Sequence, residues 1–443
     1  MVPALRSRLA GWQARITRMR ARHMKGNAMP PRIPARQSGL ESTSIRRRTA
    51  LLSGLALPLG LLAARAAPAA ARQVAPSSPR LTLPAPTGHL RTGTISLHLV
   101  DPSRPDPWVP SERVRELMIQ LWYPAEAVDG YPRAPYVTAA TARAYEKLMG
   151  LPALNFPITA AHAGAPVHRR PGGWPVVLYS HGLGGERWES TCLVEDLASR
   201  GYIVVTIDHV HDADVVVLPG GRVAYCEVPA PTVDAPTPTQ TKEIESRVAD
   251  VSFVLDSLAV LNHGGNPDHE HQPLPCGLRG ALDLRRTGMF GFSDGGSTTA
   301  HALHADARLT AGVNLDGTLW TPQAVAGSGR PLLLFGEANL DPYQEKTYSE
   351  FWTRQRGPKL WLNLKGSKHE TFTDFAALVP EVAPILDKPP SWVIQGIGTI
   401  NGPRAITVER AYIGAWFDRY LRHQHSSLLG GPSPCYPEVV FTR

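Results

Sequence analysis

The sequence predicts an α/β fold: a mostly parallel, doubly wound sheet with an antiparallel N-terminal strand and helices on both faces. Three observations predict it. From residue 175 onward, short apolar runs of the kind buried in parallel sheets alternate with longer helical segments. The 42 prolines and 39 glycines supply many turns and long loops. The 443 residues are 43% hydrophobic and 19% charged, enough apolar chain for a large core, and they show no internal repeat.

In chain order, GTISLHLV (93–100) and ELMIQLWYP (116–124) alternate as strands and form an antiparallel start to the sheet. Residues 139–149 read as a helix. PVVLYS (175–180) is a buried strand, residues 188–200 an amphipathic helix, and YIVVTID (202–208) the next strand. After a proline-rich excursion a helix covers about 242–261. TGMFGF (287–292) is a strand running into a helix near 296–305. Strands AGVNLD (311–316), PLLLFGE (331–337) and LWLNL (360–364) follow, with a helix near 346–355 and a last one over about 403–422.

The formal charge of +8 belongs to one end of the chain. Residues 1–72 hold 14 Lys or Arg and a single acid, Glu41, whereas the remainder holds 32 basic and 37 acidic residues, a net of −5. A body of that sign lacks the basic surface that phosphate neutralisation requires, so nucleic acid is not the expected partner. Arg46, Arg47 and Arg48 precede an apolar run from Ala50 to Ala64, and small residues with A-x-A spacing follow at 67–71. That is the layout of an export signal of twin-arginine type over residues 1–72, with a long basic lead-in. The run contains Pro58 and is shorter than the roughly 20 residues a spanning helix needs. Residues 73–87 read as a Pro/Ser-rich tether, and 88–443 as one α/β domain, secreted to the outside of a bacterial cell. There, Cys192, Cys226, Cys276 and Cys435 could form one or two disulfides, and their spacing fits no zinc pattern.

GFSDGGST (291–298) fits G-x-S-x-G around Ser293 between a strand and a helix. A nucleophile on so sharp a turn needs small residues two before and two after it, and Gly291 and Gly295 supply them. The following helix points its N–H groups and dipole at developing negative charge. The base should follow the serine, and His369 in KGSKHETFTDF lies just after a strand, at the sheet edge where sites gather. His301 and His304 point away on the helix, and His423 and His425 are in the tail. Two acids could orient His369: Asp316, ending strand 311–316, and Asp341 in GEANLD, with position alone leaving both open. The glycine loop SHGLGGERW (180–188) and the backbone N–H of Asp294 are the expected oxyanion donors.

Taken together, PVVLYSHGLGGERWESTCLVEDLASRGYIVVTIDH, GFSDGGST, NLDG and KHETFTDF resemble the plasma-type (isoform II) platelet-activating-factor acetylhydrolase family, particularly its secreted bacterial lipase-like members. The similarity covers about 88–440. It implies an α/β-hydrolase fold, no cofactor or metal, and hydrolysis of acyl esters. It also implies Ser293 as nucleophile, His369 as base, the aspartate of NLDG, Asp316, as acid in preference to Asp341, and the backbones of Leu183 and Asp294 as oxyanion donors. The sequence departs from relatives at Phe292 and Asp294, where His and an apolar residue are common, so the Asp294 carboxylate has no inherited role.

The expected partner is a small acyl ester or lipid, with transient contact to a lipid surface and no obligate protein partner. IDHVHDAD (207–214) clusters two His and three Asp and reads as pocket lining or a cap of the sheet rather than a metal site. Trp108, Val109 and LMGLPALNFPI (148–158) read as core, or as an acyl pocket or a lipid-facing rim. An amidase or deacetylase on the same triad, or an inactive binding protein of this fold, are the competing readings. Relative turnover of acyl amides and esters separates the first, and reaction with a fluorophosphonate the second.

Overall fold

The computed structural model describes residues 79–229 and 238–443. Strands β1 (Thr92–Asp101), β2 (Arg115–Pro124) and β3 (Arg133–Pro135) precede helix α1 (Ala139–Met149), then β4 (Ile158–Ala163) and β5 (Trp174–Ser180). Helix α2 (Thr191–Ser199) leads to β6 (Ile203–His209) and a small hairpin of β7 (Val215–Val217) and β8 (Val223–Tyr225). Helix α3 (Pro238–Asn262) is followed by β9 (Leu282–Phe292), α4 (Asp294–Ala305), β10 (Leu309–Leu315), α5 (Pro322–Ala326), β11 (Leu332–Glu337) and α6 (Pro342–Arg354). The chain ends with β12 (Lys359–Leu364), α7 (Phe375–Ile385), α8 (Pro390–Ile397), α9 (Gly402–Arg422) and β13 (Val439–Phe441).

Eleven strands form one sheet in the order β13-β12-β11-β10-β9-β5-β6-β2-β1-β4-β3. The six from β12 to β6 are mutually parallel. Strand β2 is antiparallel to both β6 and β1, so the expected antiparallel start is present. The double winding is visible in single strands. Side chains alternate between faces along a strand. On β5, Val176 and Leu178 join the cluster covered by α3 and α4, while Val177 and Tyr179 join the one covered by α2 and α9. Both faces are dry, which is why these strands read as continuous apolar runs.

The tether expected over 73–87 is packed down in its described part. Leu81 is buried, its N–H bonds to Asn155 O at 2.9 Å, and the Thr87 N–H and hydroxyl both donate to Asp196. The export segment lies outside the described residues. No disulfide joins the four cysteines; Cys192 is buried on α2, and the other three lie apart from it on loops. Segment 148–158 divides between core and surface: Met149 is buried and Leu151, Leu154 and Phe156 are partly buried, packing with Tyr136, Tyr145 and Trp188. Leu148 and Ile158 are its exposed large apolar side chains. No helix among the described residues is long and apolar enough to cross a membrane.

Candidate active site

Ser293 sits between β9 and α4 with φ 55° and ψ −121°. This conformation is unfavourable for a residue with a Cβ and costs on the order of 1–3 kcal/mol. The flanking packing enforces it. A Cβ at Gly291 would lie 2.0 Å from Gly295 O, and one at Gly295 would lie 2.0 Å from Ser180 O. The Ser293 N–H bonds across to Leu315 O at 2.8 Å, tying the turn to the end of the neighbouring strand β10.

Asp316 stands one residue beyond that bond, also with positive φ (53°). Asp and Asn tolerate this region best among residues with side chains. Asn314 closes the turn from both sides, accepting the Gly317 N–H and donating to Gly317 O, each at 2.7 Å. This is the structural content of NLDG. The His369 Nδ1–H donates to Asp316 Oδ2 at 2.6 Å. Asp316 Oδ1 accepts from the Glu337 N–H at 2.9 Å and from Gln344 Nε2 at 3.2 Å. Three donors from three elements therefore aim the carboxylate. The His369 ring lies against Phe292, the residue immediately before the serine, with 4.6 Å between centroids. Burial opposes its protonation, but the hydrogen bond and charge of Asp316 outweigh this and raise its pKa to about 9.

Asp341 is accounted for differently. It caps α6, accepting from the Tyr343 and Gln344 N–H groups at 2.8 and 2.9 Å, with Pro342 in the first turn. The helix expected near 346–355 begins earlier for that reason. His301 is buried beside Thr321, a packing residue, and His304 is an exposed surface residue that bonds to Gly327 O.

The loop after β5 approaches the serine closely: a Cβ at Gly182 would sit 3.1 Å from Ser293 Cβ. The loop turns through Gly185 N–H to Gly182 O (2.9 Å) and Gly184 N–H to Asp212 O (3.1 Å), with Leu183 between. Beneath it lies Arg247 of α3, fully buried. Its guanidinium donates to the carbonyls of His181 and Gly182 and to Asp212 (2.7 Å from Nε), and pairs with Glu243 at 3.0 Å. Holding two carbonyls downward turns the intervening peptides' N–H groups the other way. Asp294 completes a set of three buried carboxyls around this one guanidinium. Burial raises the Asp294 pKa and, with Asp294 beside it, raises that of Glu243 well above the carboxylate range.

A second Ser-His-Asp chain lies deeper. Ser180 Oγ is 3.0 Å from His209 Nε2, and His209 Nδ1 donates to Asp250 at 2.9 Å, with Arg115 pairing with Asp250 at 2.7 Å. All three members are 0% exposed, so no substrate reaches them; they brace the end of β5 under the glycine loop. Thus IDHVHDAD is scaffold: Asp208, His209 and Asp212 bond to Arg187, Ser180 and Arg247. Its remaining His211 meets Asp106 and Glu112, their ligand atoms within 4.8 Å of one another. Arg115 and Arg222 already pair with those two carboxylates, at 2.7 and 3.3 Å, which removes the charge that would draw a cation.

The structure thus brings Ser293, Asp316, His369, Leu183 and Asp294 to one edge of the sheet. Sequence reasoning missed Gln344 and Arg247, which act on the site from helices distant in the chain.

Residues 108–388 match the family model for platelet-activating factor acetylhydrolase, isoform II. A probable 1-alkyl-2-acetylglycerophosphocholine esterase of Arthroderma benhamiae is 29% identical over 288 residues, 61% of this chain and 66% of that protein. The platelet-activating factor acetylhydrolase of Canis lupus familiaris is 25% identical over 218 residues, 46% of this chain and 48% of that protein. The matches span about half to two thirds of these relatives' lengths. A solved ferulic acid esterase from Streptomyces cinnamoneus is 35% identical with a TM-score of 0.68, covering 83% of this chain and all of that one. With the fold, the strand-to-helix serine and a family match across all five residues, the chain belongs to the platelet-activating factor acetylhydrolase, isoform II, family.

Proposed function

We propose that this protein is a serine hydrolase of carboxylic acyl esters. The observation that carries the reading is the His369–Asp316 bond placed beside a serine on a strained strand-to-helix turn. The names of the relatives share one chemistry, the ester bond. In this reading His369 takes the Ser293 proton as the hydroxyl attacks the carbonyl. The N–H groups of Leu183 and Asp294 hold the oxyanion, and Asp316 stabilises the imidazolium. An acyl-enzyme forms, and water releases the acid with His369 again as base. A panel of esters of increasing acyl length, with fluorophosphonate labelling of Ser293, tests the reading. No turnover and no label would sink it.

The raised pKa of His369 fixes a pH dependence. The base works only when neutral, so kcat/KM should climb with pH, reach half its plateau near pH 9 and level off above it. Stability should run the other way. The folded chain holds the His369 proton more tightly than the unfolded chain, so this contribution is complete below pH 6.5 and lost as pH rises through 9. Half-buried Glu337 and buried Asp374, raised to about 7, have the same sign and lose theirs as pH rises through 7. Melting temperature should therefore fall between pH 6 and 9 while activity rises; parallel trends would contradict the assignment.

The reading includes export through residues 1–72, supported by the arginines before a short apolar run. Replacing Arg46 and Arg47 with Lys should retain the protein in the producing cell, and mature protein outside it at wild-type level would contradict the route. Exposed Leu148 and Ile158 supply the apolar surface for contact with a lipid layer.

A further inference from the structure

The carboxylate of Asp294, left without an inherited role, holds an aromatic ring. Trp320 Nε1–H donates to Asp294 Oδ1 at 2.6 Å, and the Trp320 backbone N–H donates to Ser297 Oγ at 3.0 Å. The indole stacks on Tyr343, with centroids 5.7 Å apart and planes 20° from parallel. Both rings are only half buried. An aromatic side chain at a surface ordinarily keeps its rotamer freedom. This one is fixed at its edge, its backbone and one face, packs in part against the core, and leaves a minor part of its surface exposed. Its place is set by the catalytic elements. Trp320 lies four residues after Asp316 and bonds to the first turn of the helix that begins beside Ser293. Tyr343 adjoins Gln344, which touches Asp316 Oδ1.

We infer that Trp320 and Tyr343 form a pre-set aromatic wall of the substrate cleft that receives a flat aryl group carried by the ester. The inference rests on the ester-hydrolase reading and adds a substrate class to it. Aromatic surfaces attract one another beyond the area they bury, and a wall ordered in advance adds no ordering cost on binding. The Asp294 carboxylate thus serves selectivity, while its own N–H faces the reaction.

The test is a selectivity ratio followed by pH-stat titration. One pair, methyl cinnamate against methyl hexanoate, places the ring on the acyl side. The other, benzyl acetate against hexyl acetate, places it on the alcohol side. Wild-type protein should favour the aryl ester in one pair, and the pair identifies the side. Trp320→Leu should lower that ratio roughly tenfold, and Trp320→Phe, which keeps a ring but loses the N–H tether, should fall between. Because both substrates of a pair read the same folded molecules, partial unfolding does not move the ratio. Tyr343→Leu gives a second, independent reading, with the same direction expected. A wild type active on alkyl esters without aryl preference, or ratios unmoved in Trp320→Leu and Tyr343→Leu, overturns the wall. A wild type that cleaves none of the four esters overturns the ester-hydrolase reading instead.

Discussion

Ser293→Ala is expected to lower kcat by roughly a million-fold, the scale seen when the nucleophile of a comparable triad is removed. The expectation follows from covalent catalysis. Without the hydroxyl no acyl-enzyme forms, and only the oxyanion donors and substrate positioning remain. The substitution keeps a Cβ on the same turn, whose φ of 55° is enforced by the packing of Gly291 and Gly295. Melting temperature should accordingly stay near wild type. Ester turnover by stopped assays and labelling by a fluorophosphonate check this together: both should vanish. Full activity in Ser293→Ala would mean that the chemistry lies elsewhere.

Asp316→Asn should lower kcat by about 10⁴-fold, the loss associated with a base held in the wrong tautomer. An Asn amide tolerates the left-handed backbone at 316 and still accepts from Glu337 N–H. Where its NH₂ faces His369 Nδ1 it cannot accept that proton, and the imidazole turns its basic nitrogen away from the serine. The rising limb of the pH–rate profile should also move down from about 9, because Asp316 is the main group that raises His369. Asp341→Asn is the control. It leaves the triad intact and keeps a good capping side chain, so turnover should stay within a few-fold. A large loss in Asp341→Asn with little in Asp316→Asn would reverse the assignment.

The difference between these two aspartates shows what the sequence could and could not carry. Chain order and strand ends admitted both. The signal that separates them is local: Asp341-Pro342 is a helix start, with a capping side chain followed by a residue needing no N–H donor. Most of the sheet was legible because the parallel strands carry largely apolar stretches with both faces covered. Strands β3, β7, β8 and β13 were not, being three residues each, too short to show a period, and the six-residue β4 also went unread. Helix α7 carries Pro380 and Pro384, which argue locally against a helix. Burial of Leu378, Val379 and Ala383 outweighs them. Arg247 and Gln344 left no trace in local pattern. Their partners lie 65 and 28 residues away, and only the packing of α3 and α6 on the sheet brings them to the site.

The bond from Glu337 N–H to Asp316 Oδ1 means that the ends of β10 and β11 meet at one carboxylate. The nucleophile has no such latitude, since its turn is locked by glycines on both sides. A carboxylate launched from either strand end would lie within reach of the same imidazole. The acid is therefore the transferable post in this architecture.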